Sequence, residues 1–248
     1  AMTSFAAGLA LEGKIPIVHT IAPFLIERPF EQLKVDFGYQ DLPGNFISVG
    51  ASFDYSTLGA THQAPGDIAL LLTIPGFEIF LPSTTLELSE MLNSEIERKT
   101  RSYFRLTTSE SQISAVSLAK AEPIVLLEPS ETTLVAFGPS VDEAYSAARA
   151  CDAGLVYANR ITPSSTKLMQ QFLSNVDSKK IVFVQPFYEG TLSHLFIQSL
   201  SGKQFLDIGI PRSFSSSYGT REELEHHYGL SEEMLRLRIK AFSISEGG

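Results

Sequence analysis

Residues 58–82 read LGATHQAPGDIALLLTIPGFEIFLP. Gly59-Ala60-Thr61-His62-Gln63 is a polar loop that opens on glycine. Ala64–Thr73 follows as a helical segment, and its apolar run Ile68–Ile74 is closed by Pro75. Phe77–Leu81 then reads as a short buried strand. A loop, a helix, a proline turn and a strand in that order are the repeating unit of an α/β sheet.

The same alternation extends in both directions. Upstream, Ile15–Thr20 and Asn45–Gly50 are strand-like runs, and Pro23–Phe37 lies between them as a helical segment. Pro23 suits a first helical position, where its missing N–H costs nothing. Downstream, a helix is expected over Thr84–Asn93 and a strand over Tyr103–Leu106. Thr107–Gln112 (TTSESQ) is polar and aperiodic, and reads as a linker. A hairpin is expected in the Val116–Leu127 region. Alternation then resumes with strands at Thr133–Phe137, Leu155–Ala158, Lys180–Val184 and Phe205–Ile208. Helices are expected from Ser140 to Ala150, at Pro163–Leu173 and at Gly190–Leu200. Ser140 with Glu143, and Thr220 with Glu223, have capping-box spacing. Ser231 precedes Glu232 and Glu233, while Arg236, Arg238 and Lys240 lie near the end of the last helix, a charge order that complements the helix dipole. The expected fold class is α/β, with two three-layer domains of mostly parallel sheets, residues 1–110 and 111–248.

Composition narrows the function classes. The 248 residues are 44% hydrophobic and 19% charged, enough to bury two cores. The net charge of −9 argues against nucleic acid or an anionic membrane as partner. No apolar run reaches the roughly 20 residues of a membrane span. No secretory signal is visible, and Cys151 is the only cysteine, so an internal disulfide or thiolate metal cluster is ruled out. A cytoplasmic location is expected. Ala1 before Met2 reads as the scar of an expression tag.

Several segments together resemble the transketolases and the related deoxyxylulose-phosphate synthases. AAGLALEGKIPIVHT (Ala6–Thr20), APFLIERPFEQL (Ala22–Leu33) and residues 58–82 are similar to the family's pyrimidine-binding domain. TTLVAFGPSVDEA, ANRITPSS and YGTREELEHHYGLSEEML resemble its C-terminal domain. The matches are collinear over nearly the whole chain. The resemblance implies a pyrimidine-binding domain over residues 1–110 that lacks its opening strand and helix. It also implies that the catalytic glutamate and the diphosphate-binding domain lie outside this sequence.

It assigns residues as well. Phe24 falls where a family aromatic packs on the cofactor's pyrimidine ring, and Ile21 stands at a neighbouring position often filled by Phe. The alternative for Phe24 is plain packing for its helix. His62 corresponds to the histidine that reaches substrate oxygens, a task that suits a side chain titrating near neutrality. Its alternative is a local hydrogen bond at a helix start. Four departures from the family's pattern stand out. Leu58 replaces an acid, Gly50 a phosphate-binding histidine, Glu27 an aromatic or arginine, and Thr108 falls near a phosphate-binding arginine, with Arg105 close by. His19, His194, His226 and His227 lack ligand spacing, so no metal site is expected in the chain itself. Cys151 reads as a small buried hydrophobe, and Ser213–Ser217 as a loop.

The expectation is a transketolase-like protein, or the C-terminal subunit of a split one, acting in two-carbon ketol transfer on a small sugar-type substrate. Thiamine diphosphate and Mg would be held mainly by a separate diphosphate-binding subunit. A homodimer is expected. The alternatives are an inactive fragment with a structural or interaction role, and a β-like subunit of a 2-oxoacid dehydrogenase.

Overall fold

A computed structural model of the chain describes residues 1–113 and 121–244. The chain opens with helix α1 (Met2–Leu11), which buries Thr3, Ala6, Ala7 and Ala10. Small side chains on that face let the helix approach the sheet closely. Strands β1 (Ile17–Ile21), β2 (Gly44–Val49), β3 (Phe77–Phe80) and β4 (Arg101–Arg105) follow. Their order in space is β1-β2-β4-β3, all parallel. The expected helix Pro23–Phe37 is not continuous. Pro23–Glu27 forms a wide π turn, Phe30–Gln32 a single α turn (α2), and Leu33–Tyr39 a second π segment. The break falls at Pro29, which has no N–H to continue a ladder. Helix α3 is confined to Asp67–Leu71, shorter than the expected Ala64–Thr73. Helix α4 (Thr85–Glu95) is capped by Thr84, whose side chain accepts from the Glu87 N–H.

The second sheet takes strands β5 (Ile124–Leu127), β6 (Thr132–Phe137), β7 (Gly154–Ala158), β9 (Lys180–Tyr188) and β10 (Gln204–Ile210). Its order is β10-β9-β6-β7-β5, parallel except for β5. Residues 116–120 of the expected hairpin lie outside the described residues; Ile124–Leu127 is the strand observed in that region. Strand β8 (Arg160–Ile161) crosses to the first sheet and pairs antiparallel with β3. Helices α5 (Val141–Ala150), α6 (Pro163–Asn175), α7 (Arg221–His227) and α8 (Glu232–Ile244) complete the layers. Both sheets and their helices match the expected α/β class. Among the described residues, no helix is long and apolar enough to cross a membrane.

Two local expectations fail for tertiary reasons. Ser140 makes no side-chain cap, because its hydroxyl donates to the carbonyls of Phe137 and Val184. Gly190–Leu200 is not an α-helix but two 3-10 turns, Ser193–Leu195 and Ile197–Leu200. The Leu192 N–H there donates to the Gln185 side chain at 3.1 Å, outside any helical ladder. Thr220 and Glu223 do form a capping box.

One of the buried apolar clusters is shared by the two halves. A single apolar cluster joins Ile26, Ile68 and Ile79 to Phe137, Ile161, Phe183 and Phe187. A buried polar knot adds to it. The Glu87 carboxylate accepts from Ser83 N–H and Oγ, from the Tyr157 hydroxyl at 2.9 Å and from Asn159 Nδ2 at 3.1 Å. The segment expected as a free linker is pinned too: Ser111 N–H donates to the Ser83 carbonyl at 2.8 Å, and Gln112 N–H to Asp142 at 2.9 Å.

Candidate functional site

The C-terminal ends of parallel strands are where open α/β sheets place ligands. Here Ile21 ends β1, and Phe24 follows in the Pro23–Glu27 π turn. Both side chains are half-buried. His62 comes from the loop after β2, and its ring meets the edge of Phe24 with centroids 5.2 Å apart at 69°. Tyr55 lies on another side at 6.5 Å. Thr61 Oγ1 is 2.9 Å from His62 Nδ1. Phe24 and His62 are therefore in contact, with His62 at the edge of an aromatic ring and its Nδ1 held, and Ile21 lies at the strand end just before this turn. Arg28 lies over Phe24, its guanidinium carbon 4.1 Å from the ring centroid. Phe24 stays half-buried even so, and keeps surface for a flat ligand.

The departures noted in the sequence also have a structural account. Gly50 has φ +82°, and a Cβ there would lie 2.2 Å from the Tyr55 ring. No side chain, histidine included, fits at this position while Tyr55 keeps its place. Leu58 is exposed on the loop. Thr108 carries no charge but donates its N–H to Asp54 at 3.0 Å. Asp54 faces inward, where it also accepts from Thr107 Oγ1 at 2.8 Å and from Arg221 at 3.1 Å.

Arg105 and Asp67 hold the loop in shape. Arg105 is 1% exposed and Asp67 0%, and Arg105 Nε donates to Asp67 Oδ2 at 2.8 Å. Arg105 Nη2 donates to Ser52 Oγ and to the Ala64 carbonyl, both at 3.0 Å. One guanidinium thus staples both ends of the loop that carries His62. The same Asp67 oxygen accepts from the Tyr103 hydroxyl at 2.7 Å, and Tyr103 is 2.8 Å from Ser48 Oγ. Ser52 Oγ donates to the Pro186 carbonyl, tying the loop to β9. In the sequence Arg105 stands only near the family's phosphate-binding position, and Asp67 does not stand out there as a site residue. The only local signal is an acid inside the apolar run PGDIALLL, a charge that demands a buried partner.

Glu27 marks a second feature. It ends the Phe24 turn and lines a small cleft between the two halves of the chain. Burial, and then the Asp67 carboxylate, push its carboxyl up to about 7. Burial also raises the Tyr188 phenol, and Glu27 adds to that rise.

The remaining histidines make local contacts. His19 Nδ1 lies 2.8 Å from the Ile47 carbonyl, His194 Nδ1 3.2 Å from the Gly190 carbonyl, and His226 Nδ1 3.1 Å from Ser231 Oγ. The His227 ring meets Tyr228 edge-on. Cys151 is half-buried, and burial raises its thiol. Among the described residues, no group of three or more His, Cys, Asp or Glu side chains is placed to hold a metal ion.

Comparisons with known proteins point one way. The family model described as the transketolase pyrimidine-binding domain matches residues 1–113. An uncharacterized 33.6 kDa protein in the fasciation locus of Rhodococcoides fascians is 31% identical over 245 residues, covering 97% of this chain and 78% of that protein. One of the subunits of the apulose-4-phosphate transketolase of Phocaeicola vulgatus is 28% identical over 242 residues, covering 92% of this chain and 76% of its own length. Among solved structures, a split-gene transketolase described as an inactive β4 tetramer matches with TM-score 0.81 at 21% identity, over 97% of this chain and 81% of that one.

Proposed function

The chain belongs to the transketolase family, and we propose that it supplies the pyrimidine-facing and C-terminal parts of a thiamine-diphosphate-dependent two-carbon ketol transferase. The observation that carries this reading is the contact of Phe24 with His62 at 5.2 Å, an aromatic platform beside a positioned acid–base group. Ile21 and Phe24 would form the apolar wall for the cofactor's pyrimidine ring. When bound, thiamine diphosphate would supply the carbon nucleophile that ketol transfer requires. His62 would hold or move a proton at a substrate oxygen: with Nδ1 held by Thr61, Nε2 is the nitrogen left for exchange. Arg105 and Asp67 act through position, by fixing the loop on which His62 stands.

The division of labour is suggested by the Phocaeicola vulgatus relative, which is itself one subunit of a transketolase. A separate diphosphate-binding subunit would anchor the diphosphate and its Mg, in a cytoplasmic complex. The substrate would be a small sugar-type ketose or aldose. Residues 1–110 would act as the pyrimidine-binding domain and 111–248 as the C-terminal domain.

The test is to co-purify the chain with its diphosphate-binding partner and to follow transfer of a ketol unit from a ketose donor by chromatography. The chain alone should bind thiamine diphosphate with Mg negligibly in a calorimetric titration, and the complex should bind it and turn over. His62→Ala should lower turnover by roughly 10²–10⁴-fold, the range for a positioned acid–base group, with the fold intact. An unchanged rate would remove His62 from the chemistry. A complex that neither binds cofactor nor transfers ketol units would favour a structural role.

A further inference from the structure

The cleft beside Glu27 is a cavity that the reading above leaves unused. It is a small, half-open cleft with room for part of a small molecule. Its walls come from both halves of the chain: Glu27 and Gln63 on one side, Tyr188, Phe214 and Tyr228 on the other, with Phe53 stacked on Tyr228 at a centroid distance of 5.3 Å. Ala60 and Gln63 flank His62 in sequence, and Glu27 ends the turn that holds Phe24, so the cleft adjoins the proposed catalytic centre. Gly66 is part of the design. A Cβ there would sit 3.2 Å from the Tyr188 ring and 3.5 Å from Glu27 Oε1, so the glycine lets carboxyl and phenol converge.

The charge of this lining is the informative part. It contains an acid, two tyrosines, an amide and serine hydroxyls, but no lysine or arginine. The guanidiniums of Arg105, Arg221 and Arg28 are engaged elsewhere. Arg105 is buried on Asp67, and Arg221 is bound to Asp54 and Glu225. Arg28 lies over Phe24, and Arg212 is an exposed side chain outside the lining whose Nε donates to the Glu189 carbonyl. A phosphate entering here would meet a carboxyl group in the lining, while the guanidinium whose charge reaches Tyr188, that of Arg212, stands outside it. Glu27 is held near half-protonation at neutral pH by burial and by Asp67. A carboxyl in that state both donates and accepts, which suits a hydroxyl better than an ammonium group.

We propose that this cleft binds the distal, hydroxyl-bearing end of an unphosphorylated sugar-type substrate, with Glu27 and Tyr188 bonding its hydroxyls and Phe53 and Tyr228 packing on its carbon chain. This selects against the phosphorylated counterpart. The inference rests on the ketol-transfer reading for the identity of the substrate class, but binding is measurable without it. The full-length chain is titrated with D-fructose and with D-fructose 6-phosphate by ligand-observed NMR. The unphosphorylated sugar should bind at least tenfold tighter. Glu27→Gln should weaken it about five- to tenfold, the loss of about one good hydrogen bond. Glu27→Lys should reverse the preference; if that variant does not fold, Glu27→Gln and Tyr188→Phe carry the test. Equal or tighter binding of the phosphate, no binding of either sugar at tens of millimolar, or indifference to both Glu27→Gln and Tyr188→Phe would overturn the proposal. Ketol transfer to phosphorylated acceptors by the complex would leave the catalytic reading standing and sink this one. Glu27-dependent sugar binding without any transfer would do the reverse.

Discussion

Replacing Asp67 by Asn tests the loop-stapling argument directly. The Arg105–Asp67 pair is almost fully buried, at 1% and 0% side-chain exposure, with Nε and Oδ2 2.8 Å apart. The amide would keep the size of the carboxylate but remove its charge, leaving a guanidinium in the interior without its counter-ion. Breaking a buried pair in this way costs about 3–5 kcal/mol. The Tyr103 hydroxyl, 2.7 Å from the same oxygen, would face a neutral amide and lose part of its bond as well. For a chain of this size the total corresponds to a fall in Tm of roughly 10 °C. Urea unfolding followed by far-UV circular dichroism measures it, with the m-value checked for unchanged cooperativity. A companion variant isolates the cause. Asp67→Leu with Arg105→Met removes both charges and should recover at least half the loss, because an apolar pair needs no counter-ion. A loss below about 1 kcal/mol for Asp67→Asn, or a double variant worse than the single one, would refute the claim that this pair holds the His62 loop.

Other consequences can be checked independently. Glu27, pushed up to about 7 in the folded chain from an ordinary 4.5, binds a proton that the unfolded chain has released between those values. Stability should therefore fall as pH rises from about 4.5 to 7. Glu27→Gln should abolish its share of that fall, about 1 kcal/mol once the full conversion of roughly 3 is discounted for partial exposure. Glu143, also pushed up to about 7, is present in both proteins and cancels in the comparison; identical stability differences at pH 4 and pH 8 would contradict the assignment. Glu87→Ala would orphan the Ser83 N–H and Asn159 Nδ2 and leave the Ser83 and Tyr157 hydroxyls only each other, and should cost on the order of 3 kcal/mol in chemical denaturation. Phe5 is 71% exposed on α1, and Tyr39 88% exposed on the neighbouring π segment. Self-association should cover this apolar surface, and a homodimer is expected by light scattering; a mass of about 27 kDa at tens of micromolar would exclude it.

The class of fold and the centre of the proposed site were legible in the sequence for a common reason: both are written in local patterns. Strands β2, β6 and β9 are buried on both faces, so β6 and β9 carry the apolar runs LVAF and IVFV and β2 is largely apolar, and their expected bounds lie within a few residues of the observed ones. His62, Phe24 and Ile21 belong to short motifs whose order along the chain carries their meaning, and the structure brings Phe24 and His62 into contact. What could not be read locally is whatever depends on a partner far along the chain. Arg105 meets Asp67 across 38 residues, and Ser140 gives its hydroxyl to Val184 rather than to its own helix. Two-residue β8 is a strand only because the edge of β3 is there to pair with it. The Glu27 cleft takes half of its wall from residues 188–228, more than 150 positions away. Hydrophobic periodicity reports which face of an element is buried, whereas the polar partner a buried charge will find, and the cavity left where two halves meet, are decided only when the chain has closed on itself.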